Sequence, residues 1–104
     1  MFEKRIKRGV AYLDKRFGRG WVFDIDLDTF SMGSPCRCVI GQVNSENYFA
    51  YCRNVGWMKN NRLTPKSLGF DLGTNVRATM YGSLTCQWKK EIVRLRKERF
   101  RHEI

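Results

Sequence analysis

Two apolar stripes at helical spacing, one at each end of the chain, set the strongest limit on the fold. Phe2, Ile6, Val10, Leu13 and Phe17 form the first when turned at about 100° per residue, with Gly9 beside them. Leu84, Trp88, Ile92 and Leu95 form the second, with Tyr81 close to its line. Each stripe must be buried, and in a chain of 104 residues the natural cover for one is the other. The first and last helices are therefore expected to pack together.

The backs of these helices carry the charge. Residues 1–20 hold seven Lys/Arg against two acids, and residues 89–104 hold seven against three. The net charge of +10 is concentrated on two helical surfaces. That distribution favours a polyanionic partner over a small neutral substrate. Lys4, Arg8 and Lys15 lie opposite the first stripe, while Glu3 precedes Lys7 by four residues in the favourable order for a surface pair. Gly18 and Gly20 end this helix, and Arg16 and Arg19 suit its negative pole.

The last helix holds a further pattern. Its core stripe ends at Leu95, and the same face continues with Arg99 and His102. Residues 97–104 are therefore expected as a projecting or frayed basic tail. A weaker apolar line runs along Cys86, Val93 and Phe100 at heptad spacing, flanked by Lys89, Lys90, Arg96 and Lys97. It reads either as a partner surface or dimer seam, or as packing against the N-terminal helix.

Between the ends, residues 21–30 alternate, with Asp24, Asp26 and Asp28 on one side and Phe23, Ile25 and Leu27 on the other. Period two predicts an extended segment, with a short helical turn followed by loop as the alternative. Ser34-Pro35 reads as cap plus first helical residue of a helix over 35–43, with Cys36, Val39, Ile40 and Val43 inward. Asn44 or Ser45 caps a helix over 45–55 with Tyr48, Phe49, Cys52 and Val55 inward, closed by Gly56. Thr64-Pro65 starts a brief helix ending at Gly69; residues 58–62 and 71–75 are loops. The pair 35–43 and 45–55 is compatible with a helix-turn-helix, but the second helix offers Glu46, Asn47, Tyr51 and Arg53, only one of them cationic, so a plain helical hairpin is favoured. Trp57 beside Lys59, Asn60, Asn61 and Arg62 reads as a contact patch or as a core anchor.

Catalytic and metal chemistry find little support. The acidic triplet begins like a calcium loop, but Thr29 stands where glycine is needed and Pro35 where the bidentate Glu is needed. No arrangement beside it completes a magnesium nuclease site. His102 is the only histidine, the third residue from the end, and no nucleophile elbow, P-loop or dinucleotide fingerprint occurs. Cys36, Cys38, Cys52 and Cys86 read as reduced thiols; their spacing lacks the paired knuckles of a zinc site. No catalytic residue, metal or cofactor is expected. No apolar run is long enough to cross a membrane, and no apolar segment follows the basic start, which points to the cytoplasm.

The segment Cys36-Arg37-Cys38-Val39-Ile40-Gly41-Gln42 resembles small uncharacterised accessory proteins encoded by actinobacterial phages. Arg8-Gly9-Val10-Ala11 with Leu13-Asp14, Gly20-Trp21, Ile25-Asp26-Leu27-Asp28, Leu68-Gly69-Phe70, and Leu84-Thr85 with Trp88 and Ile92 resemble the same group. The chain departs from that pattern in being more basic and in Cys52 and Cys86. The resemblance implies a phage or prophage protein acting inside a bacterial host cell and carries over no site residue.

The expected fold is a small, mostly α, single-domain bundle of about four to five short helices over residues 1–104, with α+β and a strand pair near 21–30 as the alternative. The expected function is non-catalytic binding of nucleic acid or a nucleoprotein through Lys4, Arg8, Lys15, Lys89, Lys90, Val93, Arg96, Lys97 and Phe100. A protein inhibitor of a host defence enzyme, like an anti-CRISPR, is the second reading, and a virion or assembly component the third.

Overall fold

Helix α1 (Glu3–Phe17) buries the face that its spacing dictates: Ile6, Gly9 and Leu13, with Phe2 just ahead of its first turn. It stops at Gly18, whose φ of +85° suits a residue without Cβ and whose N–H donates to the Asp14 carbonyl. The computed structural model describes residues 2–44, 47–55, 64–72 and 78–103, with residues 54, 55, 78 and 101–103 as backbone only. Its other α-helices are α2 (Val39–Asn44), α3 (Tyr48–Val55) and α4 (Ala78–Glu103). No strand occurs among the described residues, so the mostly α reading holds.

At 21–30 the extended segment gives way to its alternative, a short helical turn followed by loop. A 3₁₀ turn (Arg19–Phe23) follows α1 and buries the adjacent Trp21 and Val22 together, which breaks a period of two. Phe23 is left exposed, while Ile25 is buried. The alternating aspartates come from turn chemistry. Asp26 Oδ1 accepts from the Asp28 N–H at 3.0 Å, and the Gln42 side chain both accepts from Asp26 N–H and donates to Asp26 O.

Trp88 stands at the centre of the core. Phe70 stacks on it at 5.7 Å, Trp21 meets it edge-on at 6.4 Å, and its indole N–H donates to Gly69 O at 2.7 Å. The turn carrying Gly69 crosses α1 at Gly9, where a Cβ would come within 2.1 Å of the Leu68 carbonyl oxygen. Thr64 and Ser67 close this turn reciprocally: each backbone N–H donates to the other's hydroxyl at 3.2 Å. Gly69 itself sits at φ +76° against the backbone of Arg5 and Ile6. Thr64-Pro65 thus opens a turn instead of the expected brief helix.

Ser34-Pro35 likewise opens a turn, with Ser34 Oγ accepting from Arg37 N–H, before α2 begins at Val39. Helix α3 is capped by Asn47, whose Oδ1 accepts from Phe49 N–H at 2.8 Å, and not by Asn44. Its inward face is also turned from the expected one. Tyr48, Tyr51 and Cys52 are buried, and Phe49 is exposed. Tyr51 is drawn in because its hydroxyl meets that of Tyr12 at 2.6 Å beside the Phe17 ring. Ser45, Gly56, the Trp57 patch, the 73–75 loop, and the side chains of Val55 and His102 lie outside the described residues.

Candidate polyanion-binding surface

Helices α1 and α4 lie side by side and run in the same direction. Phe2 N–H donates to Gln87 Oε1 at 3.1 Å, and twelve residues further along both helices Arg99 meets Asp14. This alignment brings two stretches of opposite chain ends onto one surface. An open groove of about 370 Å³ lies between them, lined by Glu3, Lys7, Gln87, Lys90, Glu91 and Arg94. On the α1 side, Lys4, Arg8 and Lys15 are exposed, and Arg8 Nε–H is engaged by Ser67 O at 2.9 Å. On the α4 side, Lys90 and Lys97 are exposed and Lys89 is half-buried.

Two carboxylates on this flank, Glu91 and Glu98, are already occupied. Arg94 pairs with Glu91 and, at 2.8 Å, with Glu98. Among the described residues Lys89, Lys90 and Lys97 have no ion pair. The surface therefore keeps the ammonium groups of Lys90 and Lys97 open to solvent, while Glu91 and Glu98 neutralise Arg94.

Two arginines correct the expectations for α4. Arg96 is half-buried, and its donors are taken up by backbone carbonyls instead of facing solvent. Its Nε–H donates to Val22 O at 2.6 Å and its terminal N–H to Ile25 O, so it ties the segment after the 3₁₀ turn to α4. The stripe also continues past Leu95. Arg99 is only 3 % exposed and holds Asp14 with both terminal nitrogens at 2.7 and 2.8 Å, while one of them also donates to Arg19 O. Trp21 Nε1–H donates to the same Asp14 oxygen at 2.8 Å. Within the expected tail, Arg99 is held against Asp14, and α4 continues to Glu103. Arg99 Nε is buried with no hydrogen-bond partner among the described residues.

Val93 and Phe100 stand outward, at 40 and 59 % exposure. Their line does not pack on α1, so the packing alternative for it falls away. Lys7 and Arg94 were missed as groove residues. Local sequence pairs Lys7 with Glu3, and only the parallel packing brings it into one groove with Lys90.

Cys38 and Cys52 are buried, and burial pushes both thiols up, the wrong direction for a nucleophile. Tyr48 and Tyr81 donate to Asp71, and burial raises both phenols. No cluster of three metal-ligating side chains occurs among the described residues, and no helix there is long and apolar enough to cross a membrane. No family model, curated protein or solved structure matches this chain.

Proposed function

We propose that this chain is a non-catalytic phage or prophage accessory protein that binds nucleic acid, or a nucleoprotein, through the surface shared by α1 and α4 in a bacterial cytoplasm. One observation carries the reading: Lys7 and Lys90, from opposite ends of the chain, line a single open groove. Lys4 and Lys15 extend the charge along α1, and Lys97 extends it along α4. Lysine contacts of this kind release counterions from a phosphate backbone, which supplies affinity with little sequence preference.

The test is a salt titration with a nucleic acid of mixed sequence. Replacing Lys7, Lys89, Lys90 and Lys97 together with Ala should flatten the log–log salt slope by about 3, since each phosphate contact contributes about 0.7 to 0.9. Salt-insensitive binding, or none at low salt, would sink the proposal. A protein captured from host lysate that survives nuclease and high salt would favour a protein inhibitor instead.

A further inference from the structure

The outer strip of α4 combines two features that phosphate binding alone does not need. Seen down the helix, Lys89, Lys90, Val93, Lys97 and Phe100 fall within about 100° on the side away from the core. The cations are unpaired among the described residues, and no carboxylate falls within the strip, because Glu91 and Glu98 lie on the flank tied to Arg94. Between the cations stand two apolar side chains, and Phe100 is the most exposed large hydrophobic residue described. Phe100 lies one turn beyond Arg96, which is clamped to the Val22 and Ile25 carbonyls, so the helix beneath it is anchored.

We infer that this strip takes single-stranded nucleic acid, with an unpaired base stacked on the Phe100 ring and phosphates along Lys89, Lys90 and Lys97. The inference rests on the proposed nucleic-acid reading and narrows it. A duplex offers phosphates but hides its base faces, which leaves Val93 and Phe100 in water. An unpaired strand offers both a polyanionic backbone and π-faces, and so matches the strip's charge and its apolar line together. Val93 and Phe100 are separated by about 10.5 Å of helix rise, room for more than one base to contact the strip. A second copy of the chain fits poorly. An antiparallel pairing of two α4 helices about Val93 would set Lys89 of one copy against Lys97 of the other.

Three probes separate the possibilities: oligo(dT) of about twelve nucleotides, an abasic strand of equal length and charge, and the matched duplex. Anisotropy titrations at one salt concentration should show oligo(dT) binding about tenfold or more tighter than the abasic strand. Phe100→Leu, which keeps apolar volume but removes the ring, should reduce that ratio below about threefold. Phe100→Trp should preserve or raise the ratio. Equal binding of oligo(dT) and abasic strand, or tighter binding of the duplex, overturns the inference and leaves the nucleic-acid reading standing. Failure of all three probes to bind overturns both. An acidic peptide with an apolar repeat that binds where oligo(dT) does not overturns the inference in favour of a protein partner.

Discussion

The two faces of α4 use positive charge in opposite ways. Its inner side carries Arg96 and Arg99, each engaged by backbone carbonyls and, for Arg99, by the Asp14 carboxylate. Its outer side carries Lys89, Lys90 and Lys97, none of them ion-paired among the described residues. The side-chain chemistry matches the placement. A planar guanidinium offers several donors in a fixed fork and is weakly hydrated, so it can be buried against carbonyls and a carboxylate. An ammonium is compact and strongly hydrated, and it stays in water until a phosphate meets it. A count of cations along the helix therefore overstates the charge available to a partner.

The comparison breaks first if the inner face is not the core. Trp88→Ala removes the ring that packs on Phe70 and Trp21 and donates to Gly69 O. It should cost about 3–5 kcal/mol, a large part of what a small domain has. A melting curve close to that of the parent would show that the core lies elsewhere.

The next effect tests the inward arginine. Asp14→Ala leaves Arg99, at 4 % side-chain exposure, without its carboxylate and Trp21 without its acceptor. The cost should be about 2–3 kcal/mol, below the 3–5 of a fully buried pair, because Asp14 is itself 25 % exposed. Asp14→Leu combined with Arg99→Met should recover much of the loss, since no uncompensated charge remains. Equal losses in the single and double variants, by denaturant unfolding, would show that the pair is not acting as a unit.

These effects also explain what was legible in the sequence. The α1 stripe and the α4 stripe from Leu84 to Leu95 were readable, because local periodicity alone places them. Trp88 was readable as an anchor for the same reason. Arg99 was not, since its burial depends on Asp14 and Arg19, 85 and 80 residues away. Residues 21–30 misled because an Asx turn and a strand can share a period of two. Tyr51 and Phe49 exchanged places because the Tyr12 hydroxyl, on another helix, decides which side of α3 turns inward. Of the candidate surface, the open lysines and the Val93–Phe100 line were legible, and the groove was not. Parallel packing of α1 and α4, which creates it, leaves no local mark.

The smallest effects sharpen the comparison most, because neighbouring cations should separate cleanly. Arg96→Ala removes a charged donor from two carbonyls at a half-buried site, so stability should fall by about 1–2 kcal/mol. For a domain of this size that is a drop of roughly 4–16 °C in melting temperature. The salt slope for nucleic-acid binding should not change, since Arg96 faces no phosphate. Lys97→Ala, one residue on, should do the reverse. It removes an exposed ammonium with no ion pair among the described residues, so stability should change by less than about 0.5 kcal/mol. The sign is expected to be slightly favourable, because Lys97 stands among like charges on an already basic chain. The salt slope on a single strand should shrink by about 0.7, the contribution of one phosphate contact. Paired melting and salt titrations on both variants check this. If Lys97→Ala lowers the melting temperature as much as Arg96→Ala, or if Arg96→Ala flattens the slope, the division of α4 into a structural guanidinium face and an open ammonium face is wrong.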